Sequence, residues 1–154
     1  MQGDPQVLAL LNEQLQNELT AVNQFLAHAR LLEDWGLVAM SKHEHEESLE
    51  EREHADLLIQ RILLLGGTPD LQTLGQLQIG QDVKGVLEGD LAIEIHAEET
   101  LARGIRTAEQ IGDYVSRDLF TKILEDEERH AHHLRRQLQL IDRIGLQNYI
   151  QSQI

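Results

Sequence analysis

The chain has 154 residues, a formal net charge of −14, an apolar fraction of 41% and only 3% aromatics. That length gives one domain a real core, and Leu, Ile, Val and Ala must fill it, which favours packed helices over a β-sandwich. The charge argues against nucleic acid and anionic membrane as partners, and the lack of cysteine excludes disulfides, thiol catalysis and zinc–thiolate sites. The acidic balance suits a protein that handles cations, although a solvated surface produces the same balance. The opening MQGDPQVLALL has no basic n-region and no long apolar run, and no stretch approaches a membrane span. A cytoplasmic protein is the expectation.

Asp4-Pro5 reads as a helix start, an N-cap residue followed by proline at the first helical position. From about residue 5 to 35, Leu8, Leu11, Leu15, Val22, Phe25, Ala29 and Leu32 recur at the alternating 3–4 spacing of a bundle seam. A second helix spans about 38–65, with Ala55, Leu58, Ile62 and Leu65 inward, and Gly66-Gly67 stops it. Residues 66–81, GGTPDLQTLGQLQIGQ, hold four of the eleven glycines and one of the two prolines, so they form a connector. Extended, it reaches roughly 50 Å, more than the roughly 40 Å of the second helix. It can therefore return along the whole bundle and let the second and third helices run parallel, a single-crossover topology. A third helix covers about 82–111 with Leu87, Leu91, Leu101, Ile105 and Ala108 inward, and Gly112-Asp113 marks a break. The fourth covers about 114–144 with Phe120, Ile123, Leu134, Leu138 and Ile141 inward, up to Gly145. The uncharged tail reads as a short fifth helix, 146–153, buried against other subunits, or as a frayed terminus. The whole chain, 1–154, is expected to be a single domain.

Glu-x-x-His occurs twice, as Glu51/His54 and Glu127/His130. About one such match is expected by accident in a chain with this much Glu and His. Position on the seams is the stronger signal. Glu18 falls between Leu15 and Val22, Glu51 four before Ala55, Glu94 three after Leu91, and Glu127 between Ile123 and Leu134. Each of the four helices thus sets one glutamate in its apolar stripe near mid-length. Four buried carboxylates are prohibitively costly unless paired or metal-bound. Two iron ions held by four carboxylates and two imidazoles remove the difficulty, and a Glu from two helices plus Glu-x-x-His from two others is the pattern of di-iron carboxylate bundles. Zinc does not need six protein donors, and magnesium does not favour imidazole. The competing reading pairs these glutamates with Arg30, Arg61 or Arg106 at the seam edges. His28 reads as a satisfied core histidine or a support for a ligand. His43, His45, His132 and His133 read as solvated, and Glu44, Glu46, Glu47 and Glu50 as an acidic surface.

The stretches NELTAVNQF, HAR, DWGL, EHAD, RILLLGGTPDLQ, LGQLQIGQDV, DYVSRD, DEERH and GLQNYIQSQI resemble those of bacterioferritins, along essentially the whole chain. The resemblance implies an all-α, ferritin-like four-helix bundle with one long crossover and a short C-terminal fifth helix. It also implies a 24-subunit hollow shell that oxidises Fe(II) with dioxygen or peroxide and stores ferric mineral. In that family pattern the catalytic and metal residues are Glu18, Glu51, His54, Glu94, Glu127 and His130, holding two irons per subunit, with Glu51 and Glu127 bridging. Two positions depart from it. Arg52 fills the slot of the usual haem-ligand methionine, so haem is not expected in a homo-assembly, while a mixed shell with a haem-binding sister subunit remains open. Phe25 replaces a tyrosine commonly found beside the iron site. The alternatives are a rubrerythrin-like di-iron oxidase or peroxidase without storage, and a partner subunit of a mixed bacterioferritin shell.

Overall fold

The computed structural model describes residues 2–154. Four long helices, α1 Pro5–Asp34, α2 Val38–Leu64, α3 Val83–Ile111 and α4 Tyr114–Ile144, are followed by a short α5, Leu146–Gln151. Three aspartates start three of them: Asp4 accepts from the Gln6 N–H, Asp82 from the Gly85 N–H and Asp113 from the Ser116 N–H. Each satisfies a backbone donor that the first helical turn leaves without a partner. Gly112 ends α3 at φ 86°, a left-handed conformation that glycine adopts without the Cβ clash.

Helix α1 lies along α2, α3 lies along α4, and α1 also packs against α3. The crossover between α2 and α3 sets the topology. It runs beside α1 in the direction of α1, and side chains of α1 hold it at successive turns. Asn12 donates to the Thr68 carbonyl and accepts from the Asp70 N–H. Thr20 accepts from Gly75, Gln24 from Gln78, and His28 from Gly80. Helices α2 and α3 therefore run parallel, and each is antiparallel to its long neighbour. On the far side the crossover touches α3 backbone to backbone: a Cβ at Gly89 would come within 2.4 Å of the Gln78 carbonyl oxygen.

Apolar side chains form a plug at each end of the bundle. One is built on Leu11, Leu15, Leu58, Ile62, Leu101 and Phe120, the other on Leu32, Leu37, Met40, Val86, Leu87 and Tyr149. Between them lies a layer of buried polar residues. The two plugs keep water from that layer, which raises the cost of any unpaired charge within it.

Helix α5 docks on its own chain through Tyr149, whose hydroxyl donates to Gln137 at 2.8 Å. The Ala39 N–H donates to the Gln153 carbonyl, tying the tail back to α2. These bonds replace the frayed-terminus reading. Leu146 and Ile154 remain exposed on this chain.

Candidate metal centre

The polar layer contains the four seam glutamates. Glu18 comes from α1, Glu51 and His54 from α2, Glu94 from α3, and Glu127 and His130 from α4, all at most 3% exposed. The i,i+3 spacing in α2 and α4 places the carboxylate and imidazole of each helix on one face. Two quartets result, Glu18–Glu51–His54–Glu127 and Glu51–Glu94–Glu127–His130, each with its donor atoms within 4.8 Å of one another. Glu51 and Glu127 belong to both, so two positions share two carboxylates and each adds one further carboxylate and one imidazole.

The imidazoles are aimed by their outer nitrogens. His54 Nε2 lies 2.8 Å from Asp126, which leaves Nδ1 facing Glu18 and Glu127 at 3.5 and 3.3 Å. His130 Nε2 bonds Glu50 at 2.8 Å and touches Glu47 at 2.5 Å, while its Nδ1 faces Glu51 at 3.0 Å. Arg129 bridges the two outer carboxylates, at 2.6 Å from Glu50 and 3.2 Å from Asp126. An imidazole that gives its Nε2–H to a carboxylate keeps its Nδ1 lone pair free for a metal. On α1, the fully buried Gln14 donates to Glu18 at 2.9 Å and is itself held by Asn17.

Among the described residues, ten buried side-chain atoms have no hydrogen-bond partner, and eight belong to these six residues. Polar atoms without partners are rare in a folded core. Here they are concentrated around two points in space, and carboxylate plus imidazole is a donor set for a first-row divalent metal such as iron. The residues fit that group. Burial pushes Glu51 and Glu94 well above the ordinary carboxylate range, and the Glu127 charge beside each pushes further. Glu127 feels the same burial, but the neighbouring Glu94, His54 and Glu51 groups outweigh it and hold it at about 2. Burial lowers His130, yet the Glu47 and Glu94 carboxylates reverse the sign and raise it to about 12. His54 is likewise raised, against its burial, by Glu127, Glu18 and Glu51. The raised acids and imidazoles favour their protonated forms, and a divalent cation would displace those protons.

The arginine pairing considered as a competing reading does not form at two of its candidates: Arg30 pairs with Glu33 and Arg61 with Asp113. Glu44, expected on an acidic surface, is buried; Glu47 and Glu50 are half-buried and hold His130. The reason is periodicity. Glu44 is seven residues before Glu51, two turns along the same seam, so it points inward with it. Of the four histidines expected in solvent, His45 and His132 are exposed, while His43 and His133 are half-buried with ring centroids 4.0 Å apart. His28 is a satisfied core histidine, with Asp90 on one ring nitrogen and the Gly80 N–H on the other. Phe25 is buried and faces a small cavity beside Glu94 and His130. Arg52 projects from α2 into an open depression with Leu49, Glu53, Asp56 and Leu57.

Comparison with known proteins points one way. A family model for the ferritin-like domain matches residues 8–144. A bacterioferritin of Brucella melitensis is 48% identical over 149 residues, covering 97% of this chain and 92% of that protein. A bacterial ferritin of Pseudomonas aeruginosa is 46% identical over 155 residues and covers both chains completely. A bacterioferritin of Mycolicibacterium paratuberculosis is 43% identical, covering 97% of this chain and 94% of that protein.

Proposed function

The chain belongs to the bacterioferritins of the ferritin-like family, and on that premise we propose that it oxidises ferrous iron within each bundle and stores the ferric product in a hollow shell. One observation carries the chemistry: eight partnerless donor atoms converge on two adjacent positions in a closed core. Two ferrous ions are the substrate. Glu51 and Glu127 bridge them, Glu18 and His54 complete one position, and Glu94 and His130 complete the other. Each ion gives up one electron, and dioxygen or peroxide accepts the pair.

The chain's own groups do three things. The carboxylates neutralise cationic charge in a layer that excludes water, where each contact is stronger than in solvent. The imidazoles, aimed by Asp126, Glu50 and Glu47, complete the donor set without adding charge. The protons held by the raised carboxyls and imidazoles leave as iron enters, so iron binding weakens as pH falls. The shell is a homo-oligomer of 24 subunits in the cytoplasm, without nucleic acid or membrane among its partners. No helix among the described residues is long and apolar enough to cross a membrane.

Residue 52 adds a second element. A guanidinium stays protonated and has no lone pair for iron, so Arg52 does not ligate haem and the homo-assembly is haem-free through that position. A mixed shell with a methionine-bearing sister subunit is the second reading, and Arg52 is the observation that favours it. Purifying the assembly and measuring its mass, iron content and Soret band tests all of this. Aerobic addition of Fe(II) should give ferric absorbance that grows faster than in buffer. Wild-type protein that oxidises no faster than buffer refutes the ferroxidase reading. A dimer in place of a shell refutes storage, and a Soret band in the homo-assembly refutes the haem-free reading.

A further inference from the structure

We propose that Glu44 and Asp90 form a third divalent-cation site, a waiting position for ferrous iron between an open cleft beside α5 and the Glu94–His130 end of the metal centre. The identity of the ion rests on the proposed function; the site itself does not.

The position is built from three helices. Glu44 of α2, Asp90 of α3 and His28 of α1 each bring a donor atom within 4.8 Å of the others, and all three are buried. His28 is a support and not a ligand. Its Nε2 accepts from the Gly80 N–H at 3.0 Å, so its proton sits on Nδ1 and goes to Asp90 Oδ1 at 2.8 Å. Gln24 donates to that same Asp90 oxygen at 3.0 Å. Asp90 is thus locked by one oxygen, and neither of these two bonds uses the other.

Glu44 supplies the second observation. It is 5% exposed, and its Oε2 is buried with no partner. The cavity it faces has a volume of about 10 Å³ and is lined also by Phe25, Glu47, Asp90, Glu94 and His130. That is room for about one water or one ion. Phe25 brings no hydroxyl to this wall, so no side-chain O–H on that side competes for the carboxylates. Burial first, and then the charge and close contact of Asp90, pushes Glu44 well above the ordinary carboxylate range, so in the absence of a cation the two carboxyls face each other across a proton that a cation would replace. Glu51 and Glu94 of the centre next to it show the same signature, buried acids with raised affinity for protons and orphaned oxygens.

The spacing continues the centre itself. Glu44, Glu47 and Glu51 stand one turn apart on α2, and Asp90 and Glu94 one turn apart on α3. A cation held by Glu44 and Asp90 therefore sits one to two turns, roughly 6–10 Å, from the Glu94 position. On its other side Glu44 lines a cleft of about 290 Å³ that opens beside Tyr149 and Gln153. Glu44 thus faces both spaces. Hard oxygen donors completed by water suit Fe(II), Co(II) or Mn(II).

Crystals of the assembled protein grown anaerobically with excess Co(II) alone test the site. Three anomalous peaks are expected in each subunit, two at the centre and one between Glu44 and Asp90. Glu44→Gln and Asp90→Asn should each lose the third peak and keep the pair, which also reports that the variant is folded. The first turnover of Fe(II) oxidation should slow several-fold in both. A wild-type map with the pair but no third peak overturns the inference and leaves the proposed function standing. A third peak that survives both substitutions overturns it as well. Absence of the pair itself counts against the proposed function, whatever is found at Glu44.

Discussion

Two groups of buried polar residues lie within a few turns of each other, and they are opposites. Around His28, every ring nitrogen has its partner: the imidazole links the crossover to α3, and Gln24 reinforces it by donating to Asp90 and accepting from Gln78. Around Glu51 and Glu127, the inward atoms have none. Residue types are similar in both places, and burial is equally complete. A satisfied polar group fixes one structure, because any rearrangement leaves an atom unpaired. A group of unsatisfied atoms instead leaves work for a ligand. The His28 imidazole and Gln24 hold the crossover against the bundle, and the second group binds.

The sharpest way to break this contrast is to remove a carboxylate shared by both metal positions. Glu127→Ala should reduce Fe(II) oxidation to the rate in buffer. It should also abolish the rise in melting temperature that a redox-inert ion such as Zn(II) gives the wild type, since an ion that binds only the folded state stabilises it by mass action. Glu127 is held ionised by its neighbours, so the metal-free variant should melt lower than the wild type by the cavity term plus the loss of those contacts, yet remain folded. A metal-free protein that collapses on this substitution would show that the glutamates are structural.

Much of that centre was legible in the sequence because its geometry is local. Glu18, Glu51, Glu94 and Glu127 stand at seam positions between Leu, Val, Ala and Ile, and heptad spacing alone sends them inward. The four long helices, the crossover and the short fifth helix were legible for the same reason, helped by the glycines at 66–67 and 112. What was not legible depends on contacts between distant segments. Asp126 meets His54 across 72 residues, and Glu50 meets His130 across 80. The crossover's length is readable from composition, but its registration against Asn12, Thr20, Gln24 and His28 is not. Gln14 is uncharged and stands between Glu13 and Leu15, so nothing in the pattern marks it as a brace for Glu18. Glu44 could have been found: it lies seven residues before Glu51, but the run of acids from 44 to 51 disguised an inward position as surface.

Breaking the satisfied group should give the reverse phenotype. His28→Ala strands the Gly80 N–H and removes a donor from Asp90, in a region closed to water. Leaving such groups unpaired costs about 3 kcal/mol in total. Denaturant or thermal midpoints should fall accordingly, while the two-ion Co(II) pair at the centre persists in the folded protein. A variant with wild-type stability would mean that the crossover is held elsewhere.

A smaller effect is expected where the two kinds of group meet. Asp126 is satisfied by His54 and Arg129 yet serves the unsatisfied cluster by aiming the imidazole. Asp126→Asn keeps the shape and removes the charge. Loss of such an outer partner costs on the order of tenfold in metal affinity. Competition with a chelator of known strength would measure it. An unchanged affinity would show that packing alone orients His54.

The smallest effect concerns pH. His133 is held down at about 4, first by burial and then by the nearby His43 charge, so it is neutral in the folded protein near neutral pH. An unfolded histidine titrates near 6.5. Between those values the unfolded chain binds more protons at this position, so stability falls as pH is lowered from about 6.5 to about 4 and changes no further below that. His133→Phe removes the titration while keeping a ring against His43. Below about pH 6.5, the variant's melting temperature should fall less steeply than that of the wild type, and the two curves should run parallel above it. Because both proteins carry the same metal centre, its own proton exchange cancels in the difference. Parallel curves throughout the acid range would show that His133 is solvated after all, as its place in a surface run of the sequence suggests.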